Sequence, residues 1–433
     1  MGFLETIDQM GWDRFGQLSL LMFLEFAIWG AWAPVLAARL LGPLKLSGKQ
    51  TGWVYSTLPL ACIFTPLITG ALADQYFPAD KVIGVAHLIG AVFMFFAASQ
   101  TKFWPLFLCM LGFSACYAGT LPLVNAVMFT DLGRVFSRDE VIGASGLIFL
   151  WAPVAWACAG YLLTGWRNLV GENEGRDCMY FAALLAAVMG VVCLTPLVPY
   201  TPPAEEELAL FAGFQMFGEP NFVILLAISL VVAGLMQFYF MGTAPFMQKI
   251  GIASRYVPGA MALAQVAQAI ATLPAFMWLM PRVGYQWTLA IGAACWIILY
   301  LIYIAQKRVL VGAAQPLHGI AYVFFILIGQ GFAEAMAPEP IRSSVQALVF
   351  AATTGLGLFL FTHFAGAVMD RFSVEGEFQW PKIWTVPAAI MTAGVLALAI
   401  WAVTAQPLAD EPEEVAEQAA AVAAAGEAEL ASW

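Results

Sequence analysis

Glu25 stands in LMFLEFAIWGAWAP, with Leu20 to Phe23 before it and Phe26, Ile28, Trp29 and Trp32 after it. A carboxylate in such a run needs a buried partner or a task, because an ionisable group in an apolar medium is costly. Near neutral pH it could take up a proton in one setting and release it in another as water reaches it from either side of a membrane. The alternative is a permanently protonated or amide-paired structural acid.

Amides recur in similar surroundings. Gln237, in VVAGLMQFYFMG, precedes Phe238, Tyr239 and Phe240, so an amide and a stacking ring could meet a planar polar ligand together. Gln265 and Gln268, in PGAMALAQVAQAIATLP, are three apart and share a helix face. Paired amides offer donors and acceptors to a base or a sugar, or else bond between helices. Asn125, in AGTLPLVNAVMF, follows Pro122, which should kink its helix, and reads first as a structural amide. Glu334, in LIGQGFAEAMAPEPIR with Gln330 and Phe332, is a second proton-linked acid or the start of a loop. His363, in FLFTHFAG, reads as a packing histidine that could titrate. There is no H-E-x-x-H, no G-x-S-x-G and no clustered acid and histidine, so no enzyme is expected.

The elements that must position these residues follow from composition. The 433 residues are 62% hydrophobic and 11% charged, with a mean hydropathy of +0.82. Soluble domains average about 25% charged residues, so the chain is an integral membrane protein. Crossing ~30 Å of hydrocarbon takes roughly 20 helical residues. Runs of that kind lie at 18–40, 52–72, 82–99, 104–128, 141–164, 178–199, 222–244, 258–280, 286–305, 317–335, 341–369 and 384–405, numbered here as spans one to twelve. Lipid leaves no partner for open backbone groups, and the runs are too continuous for barrel strands. The expected fold class is therefore all-α, with twelve transmembrane helices.

The largest polar interruption between spans six and seven is PYTPPAEEELALFAGFQMFGEPN. It divides the chain into an N-terminal segment 1–17, a six-helix bundle 18–199, a linker 200–221, a second bundle 222–405 and an acidic, Ala-rich tail 406–433. The tail holds seven of the 28 acids and no Lys or Arg, so most of the net charge of −10 belongs to it. His87, His318 and His363 are far apart, and the seven cysteines include no pair at metal-ligand spacing, so neither a metal site nor a disulfide framework is expected. Acids near the N-terminus argue against a cleaved signal. With the termini inside, six basic residues (Arg14, Lys81, Arg134, Arg138, Arg282, Arg342) face the cytoplasm and twelve face out, against the usual bias.

Two six-helix halves around a central linker resemble the plan of the major facilitator superfamily, and TGALADQYFPADK, with Gly70, Asp74 and Lys81, resembles its loop signature. FLEFAIWGAWAP, TGWVYSTLPLACIFTPLITGALAD, PLVNAVMF and EPIRSSVQALVFAATTGLG (Pro340, Arg342, Gln346) resemble the nucleoside:proton symporter family within it. The resemblance implies uptake of a nucleoside driven by a proton gradient, at a site between the halves. It makes Gln237 and Gln265 amide contacts, Phe332 a stacking ring, and Glu334 the approximate match of a family acid; Gln268 stands where the family can place a glutamate. In span five, FLWAPVA puts Phe149 and Pro153 where the family pattern has an arginine and a threonine. Span ten reads as a turn or more short by comparison.

The sequence thus points to a proton-coupled nucleoside transporter working by alternating access. Gln237, Gln265, Gln268, Phe332, Asn125 and Phe240 are its substrate-binding candidates. Glu25 and Glu334 are the proton-coupling candidates, and Gly70, Asp74 and Arg342 the gating ones. The alternatives are a transporter-derived sensor that binds a small polar solute without turnover, or a carrier of another solute such as a sugar. Expected partners are a nucleoside-like solute, protons and the lipid bilayer, with no cofactor, metal or nucleic acid. The expected state is a monomer in the inner or plasma membrane, with both termini cytoplasmic.

Overall fold

The computed structural model describes residues 3–201, 212–338 and 341–404. The acidic tail, Pro340 and residues 202–211 of the linker lie outside the described residues. A short helix, Phe3–Met10, precedes the first span. Among the described residues ten helical runs are long and apolar enough to cross a bilayer. One of them, Ser254–Ile304, contains spans eight and nine, which part at Gly284, where φ is +80°. The shorter apolar helix Asp177–Cys193 supplies span six. The chain therefore has the twelve-helix fold in two bundles.

In the first bundle span three packs along span six, span one against five and six, and span four against two and three. In the second, span nine packs along twelve, seven against eleven and twelve, and ten against eight and nine. Span three shows how lipid inverts the usual logic of an amphipathic helix. Val85, Ile89, Val92 and Phe96 form its exposed face, while His87, Gly90, Met94 and Ala97 are buried.

Several boundaries move from those read in the sequence. Span one begins at Trp12, and span ten at Arg308, giving a run to Met336 of 29 residues. Span ten is therefore longer at its start than the run 317–335 read from the sequence. Its early part was obscured by Gln315, Pro316 and His318, yet Pro316 sits at a first helical position, where its missing N–H costs nothing.

Prolines set the breaks within spans. Span one is interrupted after Trp32 at Pro34, and the Tyr55 hydroxyl repairs the gap: it donates to Ala33 O at 2.8 Å and accepts from Ala37 N at 2.9 Å. Those are the two groups that would bond each other in an unbroken helix. Pro122 breaks span four at Gly119, a turn upstream of the ring, and the Gly119 carbonyl accepts from Thr69 Oγ1 at 2.9 Å. Pro153 likewise separates helices Arg138–Phe149 and Trp151–Leu169 in span five.

Spans five and six are joined at one end by a buried, two-pronged ion pair. Arg167 Nε donates to Asp177 Oδ2 at 2.6 Å and Nη2 to Oδ1 at 2.8 Å. Removing one partner strands the other charge, at a cost of about 3 kcal/mol or more, whereas removing both can be nearly neutral. Asp177→Asn should therefore lower the melting temperature of detergent-purified protein by several degrees, and the double change Arg167→Met with Asp177→Leu should restore most of it. Equal melting temperatures for the single variant and the parent would contradict this account.

Candidate functional site

Glu25 is fully buried and its partner is an imidazole. Its Oε2 lies 2.8 Å from His87 Nε2, 62 residues along the chain. Its Oε1 lies 2.9 Å from Thr120 Oγ1, and its backbone carbonyl accepts from the Tyr117 hydroxyl at 2.8 Å. Each neighbour is placed by a feature already described: His87 by the buried face of span three, Tyr117 and Thr120 by the break at Gly119. The expectation that no acid and histidine cluster is thus corrected. The signal was present in span three, where His87 shares a face with glycine and alanine while the large aliphatic residues take the opposite face.

A second constellation lies where the two bundles meet. Gly30, Trp156, Tyr239, Phe240, Met261 and Gln265 line a cleft between spans one, five, seven and eight. Ring contacts run through it from Trp29 to Trp156 (5.5 Å), from Trp156 to Phe240 (6.0 Å) and from Phe240 to Tyr239 (5.6 Å). Tyr239 stacks on His318 with centroids 3.7 Å apart, and His318 Nδ1 accepts from Trp296 Nε1 at 2.9 Å. The Tyr239 hydroxyl donates to Gln315 Oε1 at 2.9 Å, which fixes the ring behind the cleft.

Of the amides, Gln237 lies one turn from Phe240 on the same face of span seven, and its buried Oε1 has no hydrogen-bond partner. Buried carbonyls are rarely left so, and an open one marks a position that a ligand or water can complete. Gln265 is half-buried in the cleft wall. Gln268 is buried, and its backbone nitrogen lies against Gly319 of span ten. The structure therefore does not present the two as a matched pair.

Other candidates fall elsewhere. Phe332 is fully buried in the second bundle, stacked on Tyr285 at 4.5 Å and packed on Trp401 at 5.6 Å. Its ring face is occupied, so it is not free to stack a base. Asn125 is half-buried, with exposed Pro122 and Phe129 on the same side of span four. Glu334 lies in the last turn of a helix, Ile328–Met336, and not in a loop; Gln346 Nε2 donates to it at 3.4 Å and to Gln330 O at 3.0 Å. Phe149 packs its ring near Phe129. His363 rests between Trp53 and Phe359, as a packing histidine would.

The gating candidates are Gly70, Asp74 and Arg342. Nothing lies within 4 Å of where a Cβ on Gly70 would sit, Arg342 is exposed with its Nε donating to Ala337 O at 3.4 Å, and the Asp74 side chain lies outside the described residues. The bundles touch instead at the opposite end. There Gly48 meets Gly366 so closely that a Cβ on Gly48 would stand 2.5 Å from the Gly366 carbonyl oxygen. Asp370 accepts from the backbone N–H groups of Gly48 and Lys49, and so caps span two from the other bundle. On the second contact line Thr164 Oγ1 accepts from Gly259 N at 2.7 Å and Arg167 Nη1 donates to Ser254 O at 3.2 Å.

Comparison with known proteins places these features in a family. The family model described as Nucleoside H+ symporter matches residues 14–405. The nucleoside permease NupG of Escherichia coli (strain K12) is 26% identical over 410 residues, which is 89% of this chain and 94% of that protein. The xanthosine permease of the same organism is 25% identical over 394 residues, 86% of this chain and 91% of its own. A crystal structure of the nucleoside transporter NupG superposes with a TM-score of 0.77 at 24% identity, covering 90% of this chain and 99% of that one.

Asp370 holds the contact end shut, so Asp370→Ala should let it open. In a cysteine-free background with spin labels at Pro43→Cys and Val374→Cys, the distance distribution should move to longer values in that variant. An unchanged distribution would show that the cap does not hold the bundles together.

Proposed function

Because the chain belongs to the nucleoside H+ symporter family, we propose that it carries a nucleoside together with a proton, exposing one central site alternately to the two sides of the membrane. The observation that supports this best is the cleft between the bundles, lined by aromatic rings and the Gln265 amide. Trp156 and Phe240, which line the cleft, offer faces to a planar base, and the open Gln237 carbonyl, one turn from Phe240, suits an N–H or O–H donor of base or ribose. Gln265, an amide in the cleft wall, would supply both a donor and an acceptor. In an apolar site such contacts reject analogues that cannot return them.

Substrate contacts are accordingly assigned to Gln237, Gln265, Phe240 and Trp156, with Asn125 of span four as a further candidate. Gln268 and Phe332 serve the packing behind it. Glu25 is the proton-coupling acid, and Glu334 stands apart from it near the end of span ten. With the termini cytoplasmic in the inner or plasma membrane, the contact end is the outer one and the protein opens inward. It works as a monomer.

In vesicles containing purified protein, labelled uridine or adenosine should accumulate only under an inward proton gradient. Gln237→Ala and Gln265→Ala should each weaken solute binding about tenfold, or ~1.4 kcal/mol, with melting temperature unchanged. Flat uptake across a nucleoside panel would remove the solute assignment.

A further inference from the structure

We propose that Glu25 and His87, with Thr120, form the proton-binding site of the transport cycle, lying inside the first bundle and separate from the amides that take the solute. The proposal rests on the transport reading, and it adds a second titratable member and a way of counting the proton.

The count comes from hydrogen-bond bookkeeping. A threonine hydroxyl has one hydrogen to give. Thr120 Oγ1 is 2.6 Å from the Tyr117 carbonyl oxygen and 2.9 Å from Glu25 Oε1. An ionised Glu25 would leave two acceptors competing for that one hydrogen, whereas a protonated Glu25 lets the Thr120 hydrogen go to the carbonyl, which can only accept. The bond to Glu25 Oε1 then needs its hydrogen from the acid. On the other oxygen, His87 Nε2 at 2.8 Å donates as a neutral imidazole. Every bond is satisfied by one acid proton and no net charge.

With the imidazole as its Nδ1–H tautomer the acid proton sits instead on Oε2 and can pass to His87 Nε2, leaving a carboxylate beside an imidazolium, still neutral overall, while Thr120 turns its hydrogen from Tyr117 O to Glu25 Oε1. Loss of the proton to water leaves one negative charge among side chains that are 0% (Glu25) and 1% (His87) exposed. Such a charge is tolerated only when water enters. A sealed couple thus keeps its proton and a wetted one releases it, which is what a carrier that opens to each side in turn requires.

The charged groups named around the couple are already paired. Besides His87, titratable groups in electrostatic reach of Glu25 include the Tyr117 hydroxyl from span four and the Cys193 thiol from span six. Cys62 of span two lies behind Tyr117, and Asp80 and Lys81 of span three, near Cys193, pair with each other at 3.0 Å. Arg167 of span five is held by Asp177. Among the described residues no Lys or Arg pairs with Glu25.

A path to the solute exists. Ring contacts lead from His87 to Tyr117 (5.9 Å) and from Tyr117 to Trp29 (6.3 Å), and Trp29 touches Trp156 in the cleft wall. Tyr117 holds Glu25 O through its hydroxyl and Thr120 through its carbonyl, so a change in proton state alters the Thr120 bond to the residue that backs Trp29.

The test begins without solute. Infrared difference spectra of the purified protein should contain a carboxylic C=O band that titrates with pH, vanishes in Glu25→Gln, and moves its midpoint by about one pH unit or more in His87→Gln. Both variants should lose gradient-driven accumulation at least ~tenfold while solute counterflow stays within ~twofold. A band unaffected by Glu25→Gln, or gradient-driven accumulation retained in either variant, overturns the proposal. Should Glu25→Gln fail to fold, Thr120→Val, which removes only a hydroxyl, must still shift the band; an unmoved band overturns the proposal. If the wild type neither binds nor exchanges any nucleoside, the solute assignment fails while the infrared result still decides the proton site.

Discussion

A carboxyl group and an imidazole, sealed from water and bonded to each other, constrain the whole first bundle. Neither side chain can be buried alone at acceptable cost, so spans one, three and four must meet where Glu25, His87 and Thr120 meet. The meeting depends on a backbone defect. Pro122 stops span four at Gly119, and the helix restarts with Thr120 beside Glu25 and with the Tyr117 carbonyl free to accept from it. A residue that removes a hydrogen bond from one helix thereby completes a site between three.

The two bundles divide the chemistry. The first carries the ionisable couple and no amide pair; the second carries amides and stacked rings, with His318 locked between Tyr239 and Trp296. Trp29, Trp156 and Phe240 bridge them across the cleft. At one end the bundles are drawn together by glycine contacts and by the Asp370 cap on span two, while Gly70, at the other end, faces open space. One-ended contact of this kind is half of an alternating-access cycle; the other half requires the cap to release and the Gly70 end to close.

Much of this was legible in the sequence, because lipid imposes long apolar helices and leaves few polar residues to explain. The twelve spans, the break between the sixth and seventh, and the singular character of Glu25 follow from that constraint. What escaped are facts of partnership. His87 is distant from Glu25 in the chain, and only the rotation of span three about its axis brings the two together. Gln265 and Gln268 share a face by spacing, yet the backbone of span eight at Gln268 rests against Gly319 while Gln265 lines the cleft, a difference that depends on the neighbouring helix. Phe332 has the right residue type for stacking, and Tyr285 and Trp401 already occupy it. The start of span ten reads too late in the sequence because a proline at a helix start carries the same letters as a proline that ends one.

The central claim is that solute and proton cross together because the buried couple must be neutral before the carrier can turn. It is tested most directly by following the internal pH of weakly buffered vesicles as a nucleoside is added outside, with no gradient imposed. The account predicts that the interior acidifies with the wild-type protein and stays level when His87 is replaced by glutamine. Entry of labelled nucleoside into wild-type vesicles without acidification would contradict it.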